Sequence, residues 1–258
     1  EEPMNAFTDP KVKRIVMVAA SQVGKTELEL NAIAYIIDQD PGSILYIHPT
    51  LEEAKKFSRQ RVAPLIRDNK RLRDKVADIK ARDSGNTILQ KTFPGGVLTI
   101  TGSNSPAALA STPIRYVIGD ERDRWAVSAG AEGDPWGLAQ ARQRTFYNAK
   151  AIEVSTPTIK GASNIEDSYY LGTQERWCHK CPECGEYGEI TFERIKAEHT
   201  SKKIRGKKVY KVIEPVYWVC PHCGCLIPEA VMRRQPAKWI AENPDAYKDG
   251  VRSFWLNA

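Results

Sequence analysis

Short apolar runs alternate with longer mixed segments over residues 14–160, and the pattern then changes character. Arg14-Ile15-Val16-Met17-Val18 reads as a strand, and residues 27–38, with Leu28, Ile33, Ile36 and Ile37 set among alanines, as a buried helix. Asp40-Pro41-Gly42 ends that helix, and Ile44-Leu45-Tyr46-Ile47 has the continuous apolar character of a buried parallel strand. Thr50 followed by Glu53 forms a capping-box pattern and opens a helical stretch that runs, with one break near Pro64, to about residue 77. Turn-rich segments at 83–86 and 94–96 lead into the strand Val97-Leu98-Thr99-Ile100. Ser105-Pro106 starts a short helix through Leu109, and Tyr116-Val117-Ile118-Gly119 is a further strand. Residues 136–147 suit a helix, and Ala151-Ile152-Glu153-Val154 a strand. Residues 1–12, polar with Pro3 and Pro10, read as an entry segment. Strands alternating with helices predict an α/β fold, a mainly parallel sheet with helices on both faces.

After residue 160 the apolar alternation weakens and cysteines appear in pairs. Residues 228–234 suit one short helix, and 251–256 a last strand returning to the main sheet. The expected organisation is a core over 1–160, an insertion over 161–235, and a return segment with the last core strand over 236–258. There is no internal repeat and no low-complexity segment.

The first strand and helix enclose Ala19-Ala20-Ser21-Gln22-Val23-Gly24-Lys25-Thr26, a phosphate-loop pattern in its proper strand–loop–helix context. Backbone N–H groups at a helix N-terminus form an anion cradle, Lys25 reaches the outer phosphates of ATP, and the Thr26 hydroxyl faces Mg²⁺. Ala19 stands where such a loop ordinarily has its first glycine, which an alanine can replace only with a negative φ. Asp120 and Glu121 follow a strand directly, at the carboxyl end where open α/β sheets bind ligands. Asp120 is the candidate Mg²⁺ ligand and Glu121 the group that orients and deprotonates the attacking water. Phosphoryl transfer also draws on an arginine, and the loop supplies none. Arg142 and Arg144 are the candidates, in cis or from a neighbouring subunit, with Arg59 and Arg61 behind them; a solvated helix face or a DNA contact suits Arg142 and Arg144 equally well.

Length and composition set outer limits. The 258 residues are 41% hydrophobic and 27% charged, the balance of a soluble globular chain with a sizeable core. No apolar run approaches the roughly 18 residues that span a membrane, and no signal peptide is visible. The chain opens without an initiator methionine and closes on an apolar run, as expected of a piece of a longer protein. A net charge of +6 says little by itself, but Lys202, Lys203, Arg205, Lys207, Lys208 and Lys211 cluster without an intervening acid. The basic region at 67–75 is diluted by Asp68 and Asp74 and reads as a solvated helix face.

All six cysteines lie between Cys178 and Cys225, which argues for a reducing compartment and a metal over disulfides. Cys181-Pro182-Glu183-Cys184-Gly185 and Cys220-Pro221-His222-Cys223-Gly224 are two copies of one knuckle, together a closed tetrahedral Zn²⁺ site. Cys178-His179-Lys180-Cys181 has the same spacing, and Cys225 lies nearby, so the register is ambiguous; the Pro/Gly-framed set is preferred because both knuckles then match. Four protein ligands leave no open position, which makes the site structural. The basic run falls between the knuckles, within a zinc-stapled β-ribbon, as a charged tip suited either to a phosphate backbone or to keeping an edge soluble.

Taken together, Ser21-Gln22-Val23-Gly24-Lys25-Thr26, Val117-Ile118-Gly119-Asp120-Glu121 and Ser155-Thr156-Pro157 resemble the ATPase domain of tailed-phage large terminases. The likeness is greatest to the lambda-type (GpA) branch, which residues 103–111 and the late cysteine knuckles also resemble. The resemblance implies a RecA/ASCE-like P-loop NTPase fold with a zinc-ribbon insertion. It implies a motor, ring-forming when it packages, that pumps double-stranded viral DNA through a portal into a procapsid. The work would be done with a small terminase subunit in the cytoplasm of an infected bacterium. Ser155 and Thr156 would then form the motif coupling hydrolysis to movement, and the family's nuclease domain would lie beyond Ala258. A helicase-like translocase and a non-hydrolysing zinc-ribbon adaptor for DNA or portal are the alternatives.

Overall fold

A computed structural model describes residues 1–76, 86–159, 161–205 and 207–256. The expected helix end at residue 77 and most of the turn at 83–86 lie outside them. Along the chain, α1 (Glu2–Thr8) precedes β1 (Arg14–Ala19), α2 (Lys25–Asp38) and β2 (Ile44–His48). Then come α3 (Leu51–Phe57), a π-helical turn (Ser58–Val62), α4 (Ala63–Asp68), α5 (Lys70–Lys75), β3 (Gln90–Phe93) and β4 (Gly96–Gly102). They are followed by α6 (Pro106–Ala110), β5 (Tyr116–Asp120), α7 (Pro135–Ala141), β6 (Lys150–Ser155) and α8 (Asn164–Tyr170). The remaining elements are β7 (Glu175–Lys180), β8 (Tyr187–Glu189), β9 (Ile195–Ile204), β10 (Lys207–Val219), β11 (Leu226–Pro228), α9 (Glu229–Met232), β12 (Ala237–Ala241) and β13 (Val251–Leu256). They form two compact units, Glu1–Gln174 with Asn243–Leu256, and Glu175–Glu242.

In the first unit the strands run in the order β13-β1-β6-β5-β2-β4-β3. Every neighbouring pair is parallel except β4 with β3, as predicted for buried apolar strands joined by helices. Alternation along the strands assigns the helices to two faces. Tyr46 stacks on Phe57 of α3 and donates a hydrogen bond to Glu29 of α2, so these helices cover the face that carries it. Leu45, Ile47, Val117 and Ala151 point the other way and pack with Leu109 of α6 and with Trp136 and Ala139 of α7. The second unit holds an antiparallel β12-β7-β8 arrangement and an antiparallel three-stranded sheet, β11-β10-β9.

Several boundaries differ from expectation. Ile165 and Tyr169 of α8 pack on Val16 and Val18, so the first unit extends past residue 160 to Gln174. β12 pairs with β7, which carries the second unit past residue 235 to Glu242. The expected entry segment contains α1, held by Phe7 against the rings of Tyr35 and Tyr116. The helix break expected near Pro64 is absorbed by the π turn before it; the chain breaks instead at Asn69, whose ψ of 113° leaves the helical region. α7 ends at Ala141, well before residue 147, because Gln143 turns in and donates to the carbonyls of Arg115 and Lys150.

A buried charge cluster lies in the α7 and α8 face. Glu153 is fully buried, accepts from Arg14 and Ser168, and has Arg122 Nε 3.9 Å away. Burial raises its carboxyl pKa against the pull of both guanidinium groups. Removing one partner of such a pair strands the other, so Arg14→Ala lowers unfolding free energy by about 3–5 kcal/mol. Urea denaturation of Arg14→Ala beside the double variant Arg14→Ala/Glu153→Gln, which recovers part of that loss, measures the effect.

Candidate active site and metal-binding cluster

β1 ends at Ala19, which keeps a negative φ as its position requires, and the loop turns later, at Gln22 (φ 64°) and Gly24 (φ 93°). A side chain at Gly24 would meet nothing within 4 Å, so the backbone angle and not space calls for glycine there. Gly24 begins α2 without a side-chain cap, which leaves the first amides of the helix to a ligand. Thr26 is half-buried in that first turn.

Lys25 is buried, and its ammonium donates at 2.9 Å to Glu121 Oε1, at 3.4 Å to the Ala19 carbonyl, and to the Thr156 hydroxyl. The lysine that opens α2, the second acid of the pair and the Ser-Thr turn therefore converge from the carboxyl ends of β1, β5 and β6. Glu121 reaches this point from a left-handed backbone, φ 48°, and its other oxygen lies 3.4 Å from the Thr156 amide, which donates to it. Holding a glutamate there costs about 1–3 kcal/mol, the kind of strain that collects at functional sites.

Asp120 points to the α2 face, where His48 Nδ1 at the end of β2 lies 3.3 Å from its Oδ2. Beneath them Glu29 is fully buried and accepts from the Tyr46 hydroxyl at 2.8 Å. Burial, with Asp120 close by, holds its carboxyl well above the usual carboxylate range, and burial likewise raises Tyr46. On the other side Asp123 fastens the acidic loop to the segment between β6 and α8. Its Oδ2 accepts from the Thr158 amide at 3.0 Å, its Oδ1 from the Ile165 amide at 2.9 Å, and its own amide donates to Ser155 Oγ at 3.2 Å. None of His48, Glu29 and Asp123 stood out in the sequence. Asp123, three positions after Asp120, was within reach of motif spacing; His48 and Glu29 sit in apolar stretches that carry no such signal.

Within this chain Arg142 and Arg144 lie away from the acidic pair. The Arg142 carbonyl accepts from the Ile114 amide, ahead of β5 and at the end opposite Asp120. Arg144 is exposed and next to Gln143, which holds the same end. Neither reaches Glu121 within this chain. Arg61 pairs at 2.7 Å with Glu27 in the first turn of α2, and Arg124, which the sequence left unmarked, has Nε 3.8 Å from Glu121 Oε2. Arg59 is exposed.

In the second unit Cys181, Cys184, Cys220 and Cys223 bring their sulfurs within 4.8 Å of one another. Cys181 and Cys223 are 3.8 Å apart, as are Cys184 and Cys220. A zinc tetrahedron with bonds of about 2.3 Å has edges of about 3.8 Å, so the donors fit that ion in spacing and softness. The knuckles match hydrogen bond for hydrogen bond. Gly185 and Gly224 turn at φ 78° and 73° and donate to the carbonyls of Cys181 and Cys220. The amides of those cysteines donate in turn to the carbonyls of Glu186 and Cys225. Cys225 thus occupies the place of Glu186, outside the cluster. Cys178 lies in β7, where burial pushes its thiol up to about 11. Trp218, Ile227 and Met232 pack with Cys181 and Cys220. The basic run occupies the β9–β10 hairpin, exposed along its length.

Charge-assisted hydrogen bonds are worth about 1.5–3 kcal/mol, so Asp123→Ala speeds amide exchange at Thr158 and Ile165 by about tenfold or more. Hydrogen-exchange mass spectrometry reads this directly, and unchanged exchange would deny Asp123 its fastening role.

The chain matches the family described as phage terminase large subunit gpA, ATPase domain, over residues 1–239. It is 26% identical over 97% of its length to the terminase large subunit of Enterobacteria phage P21, and 24% over 97% to that of Escherichia phage lambda. It spans 39% of the length of each of those relatives. Among solved structures, the Thermus phage P74-26 large terminase ATPase domain is similar at a TM-score of 0.49, with 18% identity over 73% of this chain and 76% of that one. A match over residues 1–239 of 258 takes in the strand-end site and the paired cysteines alike, and the chain belongs to the family of gpA-type terminase large-subunit ATPase domains.

Proposed function

We propose that the chain is the ATP-hydrolysing motor domain of a DNA-packaging terminase, a P-loop NTPase of RecA/ASCE type bearing a zinc ribbon. The observation that carries the reading is the Lys25 ammonium shared by Glu121 and Thr156, three separate motifs meeting at one point. β6 between β1 and β5 supports the RecA/ASCE assignment, since it sets the loop and the acidic pair two strands apart. The amides of residues 19–26 and the Lys25 ammonium bind the phosphates of ATP. The Thr26 hydroxyl and the Asp120 carboxylate are hard oxygen donors that suit Mg²⁺, which would neutralise phosphate charge as it develops. His48 holds Asp120 in place, and Glu121 orients the attacking water and takes its proton. Ser155 and Thr156, tied to the acidic loop through Asp123, pass a change at the phosphates on to α8. The arginine that completes the site comes from a neighbouring subunit, as Arg142 or Arg144, or within the chain from Arg124 or Arg61.

Across the whole protein the substrate is double-stranded viral DNA. The partners are a small terminase subunit and the portal of a procapsid, met as a ring in the cytoplasm of the infected bacterium. Among the described residues no helix is long and apolar enough to cross a membrane. Zn²⁺ on Cys181, Cys184, Cys220 and Cys223 holds the second unit together and takes no part in the chemistry.

Glu121→Gln is expected to lower kcat for ATP hydrolysis by about 10²–10⁴-fold, and Lys25→Ala to abolish measurable turnover. Equal turnover in wild type and both variants would refute the motor and leave a nucleotide-binding adaptor. Elemental analysis is expected to find one zinc per chain, lost in Cys181→Ser/Cys220→Ser. Chelation should raise hydrogen exchange across Glu175–Glu242 while ATP turnover persists.

A further inference from the structure

The β9–β10 hairpin carries more than a basic tip. Cross-strand register pairs Lys203 with Lys208, Ser201 with Tyr210 and His199 with Val212 on one face, and Ile204 with Lys207, Lys202 with Val209 and Thr200 with Lys211 on the other. Both faces are exposed over residues 198–204 of β9 and 207–213 of β10. A two-stranded ribbon with neither face packed gains nothing from its apolar side chains in isolation, yet Ile204, Val209, Tyr210 and Val212 are each about half exposed. Six basic residues, Lys202, Lys203, Arg205, Lys207, Lys208 and Lys211, are distributed over both faces and the turn. No acid stands among the residues between Glu198 and Glu214, which mark its root. The register steps past Glu214 and Pro215, setting the outer ribbon off from the strands that adjoin the cysteine cluster.

We infer that this ribbon lies in the major groove of double-stranded DNA, with the face of Ile204 and Val209 against the groove floor and lysines reaching the two flanking phosphate backbones. The major groove, about 12 Å wide, admits a two-stranded β-ribbon, and a minor groove of about 6 Å does not. From His199 to Ile204 the paired strands extend about 17 Å, enough to follow the groove across most of one duplex face. Bound flat on phosphate alone, the ribbon would use the lysines of one face; seated in the groove, long lysine side chains from both faces reach round its edges to the two backbones. The Ile204 and Val209 side chains, on one face of the ribbon, meet base edges and thymine methyl groups. Lys208 Nζ lies 5.3 Å from the Tyr210 ring, and the His199 ring meets the same ring tilted by 60° at 5.5 Å, so this face is held in order before DNA arrives. The inference deepens the reading of the chain as a DNA motor, and takes from it only that the nucleic acid is a duplex.

The test is equilibrium binding of the full chain, without nucleotide, to a fluorescein-labelled 30-base-pair duplex. It is repeated with a duplex whose major groove is filled by glucosylated hydroxymethylcytosine and with one whose minor groove is filled by distamycin. Lys202→Gln/Lys203→Gln/Lys208→Gln is expected to flatten the slope of log affinity against log salt by about 2–3, near 0.9 for each phosphate no longer neutralised. Ile204→Ser/Val209→Ser is expected to weaken binding several-fold with the slope kept. Filling the major groove should weaken wild-type binding at least fivefold, and filling the minor groove should not. Zinc content and melting temperature, unchanged in both variants, serve as folding controls. The inference falls if glucosylation has no effect while the lysine variant still binds weakly, which would mean backbone contact alone. It falls also if both variants bind as wild type does, or if they alter only the sedimentation of the protein, which would make the ribbon a protein arm. ATP turnover in the same preparations reports on the motor separately, so losing one reading leaves the other measurable.

Discussion

A buried ammonium must find oxygen partners, and the first unit is arranged so that Lys25 finds three. They come from the ends of three different strands, the carbonyl of Ala19, the carboxylate of Glu121 and the hydroxyl of Thr156. For those groups to meet, β1, β6 and β5 must end level with one another, and their parallel register provides this, with Val18 beside Ser155 and Asp120 beside Val154. The same requirement bends the backbone: Gly24 turns to start α2 directly under the loop, and Glu121 takes a left-handed conformation to turn back toward the lysine. Unpaired, a charge at this depth would cost several kcal/mol. A phosphate group in the loop offers the ammonium the same kind of partner. On the proposed reading, a bound phosphate would compete with Glu121 for this one cation.

Much of this was legible in the residues. Apolar runs at 14–18, 44–47, 116–119 and 151–154 are the buried parallel strands they suggested, because a strand covered on both faces needs no polar alternation. Gly24-Lys25-Thr26 and Asp120-Glu121 named their neighbourhood through spacing alone. What escaped were elements whose evidence lies in tertiary contact. α8 is a polar seven-residue helix made visible only by Ile165 and Tyr169 against β1. β3 is a four-residue edge strand that reads as part of a turn. Arg142 and Arg144 follow the acids closely in sequence, but α7 carries the chain back to the far end of the sheet before β6 begins, so a role for them in cis could not be judged from spacing. Arg124 lies near Glu121 because a short helical turn folds it back, and nothing in composition announces such a turn.

The two units are stabilised by different means. The first has large apolar residues shut away on both sides of a sheet, Ile33, Ile36, Ile44, Leu45, Tyr46 and Phe254 among them. The second is small, and its apolar cluster consists of Trp218, Ile227, Met232 and two of the cysteines, with Ile190 and Ile195 beside it. A core of that size supplies little stability by itself, and small units of this kind ordinarily rely on a metal or a covalent staple. The sulfur tetrahedron sits where such a staple is needed, at the root of the strands that carry the exposed ribbon.

The chain leaves the first unit after Gln174 and re-enters it at Asn243, whose amide donates to the Thr173 carbonyl at 3.0 Å and whose side chain donates to that of Gly172 at 3.2 Å. Departure and return are therefore adjacent points in the host, joined by its own hydrogen bonds. Everything between them is, to the host, a closed excursion of the backbone, and the entropy of closing such a loop grows only with the logarithm of its length. Lengthening the excursion between residues 174 and 243 therefore adds little to the entropic cost of closing it.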